Sequence, residues 1–385
     1  MAYKPTVAVV TSEMDRRGAK GTAIAIRKLV EGLLLWRDRL DITLVHRCAI
    51  PEDPLYQAFT ECIIPQVSTP RFSRIISDVR FFLTEKKRFD VWHYAHPKVY
   101  PTFFLAPAKR IAITLCDGGA ITAGKDLTMV RDKLNAFEWW LVKRFCDASI
   151  AVSHFGARGL IETRGLRADR VHTVYNGVDG DLFFPRDKKM SQADIRQRFG
   201  IVSPFLMASG RLDPHKNIDR LIQAYALLVR QHALPHPLVI AGGEHMPEYT
   251  KQVRDRIKHE GLEHRVHILR IPDDADMPLF YSAAEMLIFP SLYEGFGLPL
   301  VEAMRCGTPV VASQGSSLSE VGGDACVYFD PRDPQDMASA IYRLLQDDAL
   351  QQTCVRRGYI QSQPFTWKAH ADAMAQLYLT LAGQT

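Results

Sequence analysis

Glu294 and Glu302 stand eight residues apart in SLYEGFGLPLVEAMRCGTPVV, the first just before a glycine-rich turn and the second inside a helical pattern. Carboxylates accept hydrogen bonds from paired hydroxyls such as those of a sugar, and glycines such as Gly295 and Gly297 let backbone amides come close to a ligand. In ASGRLDPHKNIDRLI, Arg211 and Lys216 bracket a turn at the start of a helix. Two cations so placed could clamp a diphosphate, with Asn217 or Asp219 capping the helix. Near the N-terminus, TSEMDRRGAKGTAIAIRKL puts Gly18 and Gly21 ahead of another helix, whose unpaired amides and dipole would suit a phosphate. That spacing is not the dinucleotide fingerprint G-x-G-x-x-G, so a glycine turn that merely passes strand to helix stays equally open. DVWHYAHP offers His93 and His96 at a strand end. A ring with an ordinary pKa near ~6.5 can accept a proton or anchor a hydroxyl unless it is satisfied in a core, and of the two His96 stands closer to the expected ligand side.

Placing these residues requires strands that end where helices begin. Short β-branched runs alternate with longer helical patterns: TVAVVTS, DITLVHR, DVWHYAH, IAITLCD, ASIAVS and VHTVYN. After NGVDGDLFFPRDKKM the pattern restarts with PFLMASG, PLVIAGG, RVHILR, EMLIFPS, TPVVASQ and CVYF. The alternation predicts an α/β protein of two parallel-sheet domains in tandem. The junction is expected at residues 180–200, where Pro185, Arg186, Asp187 and a lysine pair interrupt the apolar periodicity. The expected division is 1–185, 186–365, and a final helix over 366–385 that packs back on the first domain. In open parallel sheets ligands gather at the carboxyl ends of strands, which is where each candidate loop falls.

Composition narrows the class. With 385 residues, 47% apolar and 24% charged, the chain exceeds what one core serves. Seven scattered cysteines without a C-x-x-C pair argue against a zinc site or a disulfide framework and suit a reducing cytoplasm. The N-terminal apolar run reads as a first strand rather than a signal peptide, and no run approaches the ~20 apolar residues of a membrane span. The net charge is +5, yet residues 1–185 hold 27 Lys and Arg against 20 Asp and Glu. A basic half can attract a phosphorylated substrate, an anionic membrane or nucleic acid, or be ordinary solvated surface. Residues 71–90, RFSRIISDVRFFLTEKKRFD, mix Arg and Lys with Ile and Phe at near-helical spacing, fit either for resting on an anionic membrane or for packing on a core. No clear aromatic and basic recognition motif for nucleic acid is present, so none is expected as a partner.

The block EGFGLPLVEAMRCGTPVV resembles the E-x7-E signature of glycosyltransferase family four, retaining enzymes of the GT-B fold that use nucleotide-diphosphate sugars. SGRLDPHKN is similar to the family's diphosphate-binding segment, VYNGVD to its N-G-V-D segment, and AVSHFGARGLIE to its S-x6-L run. Order and approximate spacing agree from Val7 to about Ala382.

The resemblance implies two Rossmann-like domains whose sheets face an interdomain cleft. It implies that Glu302 holds the donor ribose and that Glu294 faces the donor sugar. The amides of Gly295, Phe296, Gly297 and Leu298 would contact the sugar and β-phosphate. Arg211 and Lys216 would neutralise the leaving diphosphate with help from the Gly18–Gly21 loop, and the base would lie near Arg270 and Ile271. Where relatives often carry a histidine, ITLCDGGAI has Cys116, so Asp117 becomes the candidate for orienting hydroxyls, beside His96. The expected reaction transfers a hexosyl group from a UDP- or GDP-sugar, such as glucose or mannose, to a glycan or lipid-linked acceptor with retention. Fixed cations and helix dipoles would stabilise the departing diphosphate, so neither metal nor cofactor is expected. The implied setting is cell-surface polysaccharide or glycoconjugate synthesis, in the cytoplasm or at the inner face of the membrane. A GT-B epimerase or phosphorylase, or a noncatalytic nucleotide-sugar or nucleic-acid binding protein, are the alternatives.

Overall fold

The structure is a computed structural model that describes residues 3–12, 14, 22–48, 53–65, 71–96, 102–116, 129–202, 204–271 and 274–384, excluding the side chains of 71–74, 129–135 and 274. The chain divides into one unit of residues 1–177 and 367–385 and another of residues 178–366.

The strands of the first unit are β1 (Thr6–Val10), β2 (Asp41–His46), β3 (Thr60–Ile63), β4 (Phe89–Tyr94), β5 (Ala108–Thr114), β6 (Ala148–Ala151) and β7 (Val171–Thr173). They form one parallel sheet in the order β3-β2-β1-β4-β5-β6-β7. Its early helices are α1 (Thr22–Leu33), α2 (Pro54–Gln57), α3 (Arg71–Thr84), α4 (Met129–Phe145) and α5 (His154–Glu162). Val7, Ala8 and Val9, successive residues of β1 that point to alternate faces, are all buried, which is why the central strands read as continuous apolar runs. The edge strand β3, Thr60-Glu61-Cys62-Ile63, has no such run to reveal it, because it is largely exposed.

The second unit has α6 (Lys188–Phe199), β8 (Leu206–Ser209), α7 (Ile218–His232), β9 (Leu238–Ala241), α8 (Pro247–His259), β10 (Val266–Leu269), α9 (Met277–Ala283) and β11 (Met286–Phe289). It continues through α10 (Leu298–Arg305), β12 (Val310–Ser313), α11 (Ser316–Gly322), β13 (Cys326–Phe329), α12 (Pro334–Gln346) and α13 (Asp348–Ser362). The parallel order is β10-β9-β8-β11-β12-β13. Strand order reverses at β8/β11 here and at β1/β4 in the first sheet, and a crevice opens at the carboxyl ends of such switch points.

The last helix, α14 (Trp367–Leu381), returns to the first unit and packs on α1. Gly32 makes that contact possible, since a Cβ there would lie 2.3 Å from Ala371 Cβ. Three sequence expectations need adjusting. Residues 178–185 pack in the second unit: Val178 N–H donates to Phe365 O at 3.0 Å, and Phe183 lies against Tyr281. The stretch expected as a junction holds α6, capped by Asp187, which accepts from the Met190 N–H at 2.8 Å, and ended by Gly200 at φ +69°. Residues 71–90 are not one helix, because α3 stops at Thr84 and Phe89 and Asp90 are buried in β4.

Candidate functional site

In the second unit the switch point sets two loops side by side. From β8 the chain runs through Gly210 at φ +127° into Arg211–Lys216, and from β11 through Pro290 to Gly297. The loops are joined by Leu292 N–H donating to His215 O at 2.8 Å. Asn217 begins α7 at φ +58° and makes no side-chain cap, contrary to expectation. Its amide instead donates to Pro290 O at 3.0 Å and Pro331 O at 2.7 Å, tying the carboxyl ends of β11 and β13 to α7. Asp219 does not cap either; its carboxylate accepts from Gln223 and Arg256.

This scaffold brings Lys216 to Glu294, Nζ to Oε1 at 2.6 Å, with both side chains about 15% exposed. Lys216 Nζ also lies 5.3 Å from the centre of the Phe289 ring, and Ser317 Oγ donates to Glu294 O at 2.9 Å. Gly297, at φ +97°, disfavours any side chain, since the backbone is left-handed and a Cβ would sit 2.6 Å from Leu318 Cδ2. The glycine therefore fixes the turn that leads into α10, where Pro299 occupies the first turn. Phe296 turns its ring inward onto Phe365 and is buried there. Leu298 opens α10, and Glu302 lies one turn in.

Glu302 has a partner that sequence reasoning missed. Tyr281, fully buried on α9, donates to Glu302 Oε2 at 2.9 Å. Burial, reinforced by the carboxylate, holds the Tyr281 phenol well above its ordinary pKa, and burial with the same carboxylate pushes Cys306 up to about 12. Arg211 is exposed, 3.6 Å from Asp213 Oδ2, and Asp213 Oδ1 lies 2.6 Å from His245 Nδ1. Asp213 and His245 were also missed, because they meet across two separate loops. Arg270 and Ile271 follow β10, with the Arg270 stem packed beside Gly243 and Ile271 buried. The second unit thus gathers Arg211, Lys216, Glu294–Leu298, Glu302 and Arg270 at the carboxyl ends of β8, β10 and β11.

In the first unit, His96 lines a small cavity at the β1/β4 switch point with Ser12, His46, Arg47, Asp78 and Thr102. Arg47 Nη2 pairs with the buried Asp78 Oδ1 at 2.5 Å, giving the cavity a locally neutralised cation. His93 is structural: its Nδ1 lies 2.7 Å from the Tyr378 hydroxyl and its Nε2 lies 2.8 Å from Thr114 Oγ1, all inside the unit. Gly18, Gly21 and Asp117 lie outside the described residues. Among the described residues no group of three or more His, Cys, Asp or Glu is arranged to hold a metal, and no helix is long and apolar enough to cross a membrane.

Two parallel sheets of this topology, each with a reversal of strand order, define a GT-B fold. Known proteins agree. The family described as "Glycosyl transferases group 1" matches residues 191–361, and the one described as "Glycosyltransferase Family 4" matches residues 21–182. O-antigen chain mannosyltransferase B of Escherichia coli is 34% identical over 57% of this chain and 57% of its own length. A D-inositol 3-phosphate glycosyltransferase of Corynebacterium aurimucosum is 30% identical over 75% of this chain and 67% of its own. Among solved structures, Anabaena HepE in complex with UDP and glucose superposes with a TM-score of 0.77 at 22% identity, over 98% of this chain and 100% of that one. The chain belongs to glycosyltransferase family four. It spans about half the length of the curated relatives it matches.

Proposed function

We propose that this chain transfers a hexosyl group from a nucleotide-diphosphate sugar to a hydroxyl acceptor with retention of anomeric configuration. The observation that carries the reading is the Lys216–Glu294 pair with Arg211 nearby, at the switch point of the second sheet. An oxocarbenium-like transition state leaves negative charge on the departing diphosphate. Fixed cations that need no reorganisation are the effective way to stabilise it. Lys216 and Arg211 supply that charge, so the chemistry does not call for a metal. Glu302, held by Tyr281, accepts from the ribose hydroxyls; Glu294 and the amides of residues 295–298 meet the sugar and β-phosphate. The base lies by Arg270 and Ile271. The acceptor hydroxyl loses its proton to a donor phosphate oxygen, and His96, beside the cavity of the first unit, anchors acceptor hydroxyls together with Asp117.

The donor is a UDP- or GDP-hexose such as glucose or mannose, consistent with a mannosyltransferase among the relatives. The acceptor is a glycan or lipid-linked glycan of cell-surface polysaccharide or glycoconjugate synthesis, met in the cytoplasm at the inner face of the membrane. Helix α3 supports the membrane part: Ile76 and Leu83 are 67% and 73% exposed, seven residues apart on one face, with Arg80 between them. Co-sedimentation with anionic but not zwitterionic vesicles, reduced by Ile76→Asp, is the expected result for that contact.

Calorimetric titration of UDP, GDP, ADP and their common sugar conjugates into the wild type and Glu302→Ala tests the donor site. Micromolar binding of one nucleotide, weakened by the substitution, is expected. Absence of binding by all of them would remove the reading.

A further inference from the structure

We propose that Asp213 and His245 are positioning residues that aim Arg211 at the terminal phosphate of the donor diphosphate, an inference that rests on the donor reading above. Arg211 has a side chain 62% exposed, and an unrestrained arginine at such a place samples many rotamers. Its carboxylate neighbour is unlike it: Asp213 is only 8% exposed at the side chain and is fixed from two directions. Asp213 Oδ2 faces Arg211 Nη2 at 3.6 Å, while Oδ1 takes a 2.6 Å bond from His245 Nδ1. A carboxylate can only accept, so Nδ1 carries the hydrogen and the imidazole is oriented by that bond.

The backbone makes the same connection. Gly210 N–H donates to Ala241 O at 2.9 Å, and Leu212 N–H donates to Gly243 O at 3.1 Å. A Cβ at Gly242 would lie 2.0 Å from Gly210 O, so only glycine lets the segment after β9 lie against the Arg211 loop. The same loop positions Lys216, whose N–H donates to Asp213 O at 2.9 Å. Residues 241–245 are thereby a second wall of the cation site. His245 acts through Asp213, and Asp213 acts through Arg211; neither needs to touch the ligand. Their loss should weaken recognition of the second phosphate and leave the nucleoside and first phosphate little affected.

The experiment titrates UDP, GDP and ADP, each against its monophosphate, into the wild type, His245→Ala and His245→Gln. The glutamine amide would restore an N–H donor to Asp213, and His245 is half-exposed, so both variants should fold. The expected result is that His245→Ala lowers the diphosphate-over-monophosphate preference about five- to tenfold, the range of a typical net hydrogen bond, because His245 acts on Arg211 only through Asp213. Monophosphate affinity should stay within about twofold of wild type under that same argument, and His245→Gln should recover most of the preference. A diphosphate preference in the wild type that survives His245→Ala overturns the proposal alone. So does an equal loss for mono- and diphosphates. Failure of every nucleotide to bind the wild type overturns the donor reading and this proposal together.

Discussion

Lys216 is fixed on three sides before any ligand arrives: the missing side chain of Gly210, where a Cβ would lie 3.2 Å from Lys216 Cδ, the Phe289 face, and Glu294. Lys216→Met should lower turnover about 10²- to 10³-fold, by analogy with removal of one preorganised charge-stabilising donor. It also leaves Glu294 mostly buried without its cation, at a cost of about 1–3 kcal/mol. Adding Glu294→Gln should restore the melting temperature without restoring turnover; recovery of both would show that Lys216 serves only stability. Gly297→Ala forces a side chain into left-handed backbone and onto Leu318, and should destabilise by about 1–3 kcal/mol in urea denaturation. An unchanged midpoint would refute that. The cations and carboxylates are legible in the sequence because one loop carries each set at fixed spacing. Tyr281, Asp213 and His245 are not, because each meets its partner only once separate strands stand side by side.

Elements were legible to the extent that burial shaped them. Twelve apolar runs became strands, most of them buried on both faces as a parallel sheet covered by helices requires, whereas β3, exposed at the edge, and α6, buried only at Ser191 and Ile195, offered no such signal. Helix α14 is the element with the sharpest consequence. His93 lies buried between β4 and α14, and desolvation, with His370 a second cause, depresses its pKa to about 3; burial also lowers His370. In the unfolded chain a histidine titrates near ~6.5, so between these values the unfolded state holds more protons than the native one. Stability is therefore full above pH ~6.5 and falls as the pH drops toward the folded pKa, by as much as ~1.4 kcal/mol per pH unit per histidine. Urea denaturation from pH 7 to 4 should show that slope in the wild type and a shallower one in His93→Gln. Equal slopes would place the acid sensitivity elsewhere.

At the scale of the whole molecule, the chain enters the second unit after Gly177 and leaves it after Thr366, so that unit is one continuous segment while the first is made of two. The restart of the strand pattern was visible in the sequence, and a final helix packing back on the first domain was expected, but which strands it covers was not legible, because an apolar helix face does not name its partner. Here α14 places Ala371, Met374, Ala375, Leu377, Tyr378 and Leu379 in the core beneath β1, β2 and β4. The four large side chains alone are worth roughly 1.5–3 kcal/mol each, or about 6–12 kcal/mol together, comparable to the 5–15 kcal/mol that holds a typical domain folded. Residues 178–366 expressed alone should therefore fold cooperatively and keep nucleotide binding, since Arg211, Lys216, Glu294 and Glu302 and their partners all lie within them. Residues 1–177 expressed alone should lack a stable core, and should regain one when residues 367–385 are supplied through a short linker. Hydrogen exchange on the three fragments decides it: protection in β1 and β4 of the 1–177 fragment equal to that in the linked form would mean that α14 is a passenger on a sheet already complete without it.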